Sequence, residues 1–233
     1  MVDLSSEMAQ LWNGLHSPAV GGLRVLQIVS ARSGEGTSAV ARELAHFVAR
    51  RASRSVWLVD LDLGGRGQCA NIADEADRYG VLGEPVVASP DGSSFLTVQP
   101  QAKSSTGGVV PASRYLTAHK VGDARWWTTR FRRERVQPGQ TVHILAKGDY
   151  WQALARHTDL IIVDCPSIDR SRAALTVAPF MDQTLLVVAA DQKDTSPPAQ
   201  LRDAISQAGG RVAGLFVNRV VVEPPRFLRA LGL

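Results

Sequence analysis

The chain has two cysteines, Cys69 and Cys165, in 233 residues. That number builds no disulfide framework, and the pair shows no metal-ligand spacing. Long apolar runs are also missing. The longest uncharged stretches, such as Thr184 to Ala190, fall far short of the roughly 20 residues a bilayer helix needs. The first residues, MVDLSSEMAQLW, lack a basic segment leading into an apolar one, so export is not expected. His46, His119, His143 and His157 are scattered and read as structural. Ser167 has no histidine near it in sequence, which gives a serine hydrolase no support. Charge of one sign is in short supply too, with 26 Lys and Arg against 22 Asp and Glu and a formal surplus of +4. At 45% hydrophobic residues, the composition is that of a globular chain and excludes disorder throughout. A soluble, cytoplasmic protein is the expectation.

What is present is an alternation of short apolar runs with helix-period segments. Leu23 to Val29, Ser55 to Asp60, Asp159 to Asp164, Thr184 to Ala190 and Val212 to Asn218 read as buried strands. Val40, Leu44, Phe47 and Val48 share one helical face, and Pro197 to Ala208 reads as a helix stopped by Gly209-Gly210. Leu4 to Leu15 is a further helix ahead of the first strand. This rhythm predicts an α/β fold with a doubly wound, mostly parallel sheet covered on both faces. A single domain over residues 1–233 is expected, with an insertion of hairpins or loops at about 81–140. Ser94 to Val98 and Trp126 to Phe131 are strand-like pieces within that insertion.

Ala31-Arg32-Ser33-Gly34-Glu35-Gly36-Thr37-Ser38 follows the first strand and opens a helix, the setting a phosphate-binding P-loop requires. Glycines let the backbone close around phosphate oxygens, and helix N-terminal amides point at the anion. Ser38 stands where a hydroxyl would reach Mg²⁺. Two positions depart from G-x-x-x-x-G-K-[ST]. Ala31 replaces the first glycine, and Thr37 replaces the lysine that would meet the β- and γ-phosphates. Thr offers a neutral hydrogen bond where charge develops in phosphoryl transfer. Arg32 is the candidate substitute within the loop. The alternative is a strand-to-helix turn with no ligand.

Asp60 ends the second strand, Asp62 follows it, and Asp164 ends the third strand. In a parallel sheet, ligands bind beyond the carboxyl ends of the strands. One of these acids can hold Mg²⁺ through water and another can orient a nucleophile. A lone strand-end Asp is most often a turn or a helix cap. Three elements in this order argue for more.

On these motifs the chain resembles the deviant P-loop ATPases, the group of ParA/MinD-type ATPases and bacterial tyrosine kinases. SARSGEGTS is similar to the kinases' phosphate loop, VWLVDLDL to their D-x-D strand, and LIIVDCPS to their Walker B strand. DQTLLVVAAD and VAGLFVNRV are similar to the later strands, and the N-terminal helix with Glu7 and Leu11 to the helix ahead of the first strand. The likeness covers roughly residues 1–80 and 140–233 and is nearest the exopolysaccharide branch that serves capsule and holdfast synthesis. It implies ATP and Mg²⁺ as cofactors. Arg32, Gly34, Glu35, Gly36, Thr37, Ser38 and Asn218 would bind nucleotide, with Asn218 at the adenine. Asp60, Asp62 and Asp164 would be the catalytic acids, and Ser38, Asp60 and Asp164 the metal site. It also implies an inner-membrane polysaccharide export or copolymerase partner, peripheral attachment through that partner, and homo-oligomers. A non-catalytic scaffold and a ParA/MinD-like partition or positioning ATPase are the alternative functions. No tyrosine follows Tyr150 in the sequence, so autophosphorylation on a C-terminal tyrosine cluster, as in the kinases, is not expected.

The surplus charge is local. Residues 125–135 carry five Arg and one Glu, as much excess as the whole chain. Interleaved with Trp126, Trp127 and Phe131, this stretch reads three ways: a solvated strand face over packed rings, a protein or membrane contact, or a nucleic-acid surface. Nucleic acid is the least expected of the three. Phe227, Leu228 and Leu231 share a face of a short C-terminal segment that is expected to pack on the domain or a partner.

Overall fold

A computed structural model describes residues 4–15, 22–102 and 107–220. In chain order its strands are β1 (Val25–Ser30), β2 (Val56–Asp60), β3 (Val86–Val87), β4 (Leu96–Gln99), β5 (Leu116–Lys120), β6 (Trp126–Phe131), β7 (Thr141–Ile144), β8 (Leu160–Asp164), β9 (Gln183–Ala189) and β10 (Val212–Asn218). The helices are α1 (Ser5–Leu15), α2 (Thr37–Ala49), α3 (Gln68–Asp74), α4 (Ala76–Tyr79), α5 (Asp149–Ala155), α6 (Ala173–Val177) and α7 (Ser196–Gln207). Eight strands form one sheet in the order β10-β9-β1-β8-β2-β6-β5-β3. From β10 to β6 every neighbouring pair is parallel, and β5 and β3 close the far edge antiparallel. The fold is the expected doubly wound α/β sheet.

Period-two alternation explains the layers. Leu26 and Ile28 of β1, Leu58 of β2 and Ile162 of β8 face the α1 and α2 side, with Met8, Val40 and Leu44. Val25 and Val29, Val59, and Ile161 and Val163 face the other side, with Trp151, Val177 and Ile205 of α5, α6 and α7. One polar residue breaks the apolar run of β1. Gln27 is buried, and its amide donates to the Ala174 carbonyl at 2.8 Å and accepts from the Thr184 hydroxyl at 2.9 Å. Both ends are satisfied, so the burial carries little penalty. Both cysteines are buried and unpaired.

Within 81–140 the described residues supply three strands of the main sheet, β3, β5 and β6. β6 adds to β2 in parallel, with Val56 opposite Trp126 and Leu58 opposite Thr128. Trp126 is fully buried, edge-on to Tyr79 and tilted against His46. The small sheet β4–β7 uses Thr141–Ile144, which lies past the end of the expected insertion.

The arginine stretch is mostly a solvated face over packed rings. Trp127 stacks on Trp57 with centroids 5.7 Å apart, so each half-buried ring covers one face of the other. Arg130 and Arg132 share Glu134, and Arg133 donates to the Leu63 carbonyl at 2.7 Å. The segment holding Phe227, Leu228 and Leu231 lies outside the described residues. Among the described residues no helix is long and apolar enough to cross a membrane.

Replacing Trp126 by Ala is expected to cost about 3–5 kcal/mol in chemical denaturation, the range for emptying a large core site. Arg135→Ala, on the exposed side of the same segment, is expected to stay within about 0.5 kcal/mol.

Candidate functional site

All six parallel strands present their carboxyl ends to one edge of the sheet. The loop 31–38 leaves β1 there. Gly34 and Gly36 adopt φ of 85° and 93°, a left-handed conformation that glycine takes without strain. A Cβ at Gly36 would also run into the Asn218 side chain. Gly36 caps α2 without a side-chain bond, so the first-turn amides are left for a ligand or water. The Asn218 side chain, from the end of β10, donates to the Glu35 carbonyl at 2.9 Å and so braces the loop. Glu35 itself turns inward: it is buried, and its carboxylate accepts the Arg32 amide at 2.8 Å. Its side chain belongs to the loop's own scaffold.

Arg32, the sequence candidate for the missing lysine, points away. Its guanidinium donates to Gln192 at 2.8 Å and to Asp194 at 2.9 Å. Thr37 is buried, and its hydroxyl has no partner among the described residues. A cavity of about 280 Å³ lies against the loop, walled by Gly34, Gly36, Thr37, Ser38 and Asp62. Two arginines line it that sequence reasoning passed over, Arg170 and Arg219. The Arg170 guanidinium pairs with Asp62 at 2.8 and 3.3 Å. Arg219 donates to the Gly34 carbonyl at 2.5 Å.

Sheet register brings the acids together. Asp60 lies directly across from Asp164 in the β2–β8 ladder. Both are buried. Gln68, at the start of α3, joins them: its backbone amide donates to Asp60 at 2.7 Å and its side chain to Asp164 at 2.6 Å. The same side-chain nitrogen reaches the Ser38 carbonyl at 2.9 Å, and Arg42 donates to the Gln68 oxygen at 3.1 Å. Gln68 is thus a hub between both acids and α2. No spacing rule marks such a glutamine, so only the fold reveals it. Asp60 also accepts the Asp62 amide at 2.8 Å, which leaves its two oxygens engaged. One oxygen of Asp164 has no partner among the described residues.

Burial raises both carboxyls above the ordinary range, and the Asp164 charge raises Asp60 further. Hydrogen bonds from Gln68 and Asp62 oppose the rise at Asp60, and the Gln68 and Ser38 side chains oppose it at Asp164. Chemically, the loop amides with Ser38, Arg170 and Arg219 can receive an anion of phosphate size. The unpartnered oxygen of Asp164 is buried behind the cavity wall, two residues before the Pro166 that lines it. Among the described residues no three His, Cys, Asp or Glu side chains cluster to hold a metal alone. A divalent ion here would need ligands from the anion itself, as Mg²⁺ with nucleotide phosphates commonly does.

A carboxyl whose folded pKa is raised contributes stability in full below its unfolded value near 3.8 and loses it as pH rises through the raised value. Near neutral pH the pair therefore weighs against the folded state. Asp164→Asn is expected to be more stable than the parent near pH 7.5, by on the order of 1–3 kcal/mol. Urea denaturation repeated near pH 4 should show that gap closing.

No protein-family model and no curated protein matches the sequence. Solved structures do match in shape. The kinase domain of the Escherichia coli tyrosine kinase ETK aligns at 19% identity over 94% of this chain and 78% of its own, with a TM-score of 0.61. The chimerical protein CapA2B2 aligns at 13% identity over 95% of this chain and 87% of its own, with a TM-score of 0.65. The septum site-determining protein MinD of Pyrococcus horikoshii, complexed with Mg-ADP, aligns at 16% identity over 89% of this chain and 76% of its own, with a TM-score of 0.54. At such identities the likeness is one of architecture: the chain has the fold shared by bacterial tyrosine kinase domains and MinD ATPases.

Proposed function

We propose that this protein is a tyrosine-kinase-like P-loop ATPase with weakened catalysis, which binds ATP with Mg²⁺ and regulates exopolysaccharide synthesis or export. The observation that carries nucleotide binding is the loop 31–38. Left-handed Gly34 and Gly36 open a helix with no side-chain cap against a cavity lined by Ser38, Arg170 and Arg219. When bound, ATP would supply a transferable phosphoryl group and Mg²⁺ would offset its charge. The loop amides and Ser38 would orient the phosphates. Asp164, with one oxygen free and a raised pKa, is suited to hold a metal-bound water or to accept a proton near neutral pH. Asn218, tied to the Glu35 carbonyl, would stand beside the nucleotide. The solved structure of the fold-mate MinD as its Mg-ADP complex supports the same cofactor pair.

Weakened catalysis follows from Thr37. An ammonium at that position stabilises developing phosphoryl charge, and a hydroxyl supplies no charge. The polysaccharide role, an inner-membrane copolymerase partner, peripheral attachment through it and self-association all rest on the sequence resemblance to the exopolysaccharide-associated kinases. The second reading, a non-catalytic scaffold of the same complex, is favoured by two observations. The loop's own cation, Arg32, is committed to Gln192 and Asp194, and Asp62 is already held in an ion pair with Arg170.

Mg-ATP binding and hydrolysis should be measured for the parent protein, Thr37→Lys and Asp164→Ala. Binding with slow turnover is expected for the parent, a gain of roughly 10²-fold in Thr37→Lys, and loss of turnover in Asp164→Ala. Nucleotide binding with no turnover in either the parent or Thr37→Lys would favour the scaffold reading instead.

Tyrosine chemistry is limited by packing. The three tyrosines, Tyr79, Tyr115 and Tyr150, are 5%, 3% and 1% exposed. The folded chain incubated with Mg-ATP is therefore expected to gain no phosphotyrosine. Peptide mass spectrometry covering Tyr79, Tyr115 and Tyr150 checks this.

A further inference from the structure

The loop lost its lysine, yet the cavity it faces is not without positive charge. We infer that Arg170 is the cation that meets nucleotide phosphates in place of the lysine that Thr37 replaces; this rests on the nucleotide reading above.

Three observations place the role on Arg170. Within the loop no cation is in position. Thr37 is neutral, only 7% exposed and unpartnered at its hydroxyl, and Arg32 is committed to Gln192 and Asp194. Arg170, by contrast, lines the same cavity as Thr37 and Ser38. Its guanidinium presents two nitrogens to the Asp62 carboxylate, at 2.8 and 3.3 Å. That forked geometry suits a phosphate as well as it suits a carboxylate.

The segment carrying Arg170 is also fastened to the loop. The Ser33 amide donates to Asp169 at 3.0 Å, and the Ile168 amide donates to the Ser30 carbonyl at 3.1 Å. Arg170 is thus held at a fixed backbone distance from the phosphate loop. Its side chain is 45% exposed, so no packing bars a swing from Asp62 to a bound anion. Arg219 is committed differently. It donates to the Gly34 carbonyl and sits at φ 60°, a conformation rare for a residue with a side chain. Its place is to brace the loop.

The test is a titration of the full chain with ADP and, separately, with AMP, which lacks the β-phosphate that a loop lysine would contact. Arg170→Ala, Arg219→Ala, Thr37→Lys and the double variant Thr37→Lys/Arg170→Ala are compared with the parent. Arg170→Ala is expected to weaken ADP about ten- to a hundred-fold, the scale of one charge-assisted hydrogen bond, and to leave AMP nearly unchanged. The double variant is expected to recover ADP binding, because an ammonium returned to the loop restores the charge.

Unchanged ADP affinity in Arg170→Ala, beside a parent that binds ADP, would overturn the assignment and leave the nucleotide reading standing. Equal loss of ADP and AMP with no recovery by lysine would mark Arg170 as merely structural and overturn it too. A selective, lysine-recoverable loss in Arg219→Ala alone would move the role to Arg219. A parent chain that binds neither nucleotide would sink the nucleotide reading and this inference with it.

Discussion

Two carboxylates sit side by side in the middle of this protein because a parallel ladder puts them there. Once β8 lies between β1 and β2, Asp60 and Asp164 face each other across one rung. Neither can move without breaking the register of the apolar strands beneath it. The repulsion and desolvation of that pair are tolerated because Gln68 donates to both, with backbone amide to one and side chain to the other. Gln68 needs α3 to begin where it does, and its oxygen needs Arg42 of α2. The central rung thus governs the placement of α3, the entry of α2 and, through the Ser38 carbonyl, the phosphate loop. A buried pair held this way costs stability, and such costs concentrate at functional sites.

The same edge of the sheet gathers positive charge from several segments. A P-loop lysine places a cation inside the loop. Here positive charge arrives from outside it, on the segments after β8 and β10 that carry Arg170 and Arg219. Each is anchored in the meantime, one on a carboxylate and one on a carbonyl. The stretch at 125–135, where the chain's formal surplus resides, spends much of its charge locally. Arg125 donates to the Ser53 carbonyl, Arg133 to the Leu63 carbonyl, and Arg130 and Arg132 share Glu134.

Much of the fold could be read along the chain. Strands buried on both faces announce themselves as unbroken apolar runs, and Asp or Gly punctuation fixes their ends closely. The apolar run Ser55 to Asp60 forms the strand Val56–Asp60. The N-terminal helix and the helix stopped by Gly209-Gly210 follow from periodicity and capping in the same way. Pairing was harder. That Trp126 would lie beside Val56 is a long-range choice, made by the empty edge of β2 and the volume of an indole rather than by any local pattern. β7 is short and half exposed, so it left little apolar signal. At the candidate site, the meeting of Asp60 and Asp164 was legible because both end apolar strands that the sheet sets side by side. Arg32 misled because nearness in sequence says nothing of side-chain direction, and its partners lie 160 and 162 residues away. Gln68 and Arg170 are common residue types at unremarkable positions, and only tertiary contact gives them meaning.

The parallel setting of β6 has one more consequence. A hairpin strand of opposite sense would have pointed its basic end away from the ligand edge. This one delivers Arg130 and Arg133 to the wall of a second cavity of about 240 Å³ that also holds Asp60 and Asp62. Arg133 grips the carbonyl of Leu63, the residue after Asp62. The end of β6 and the loop that carries Asp62 therefore share the walls of one cavity.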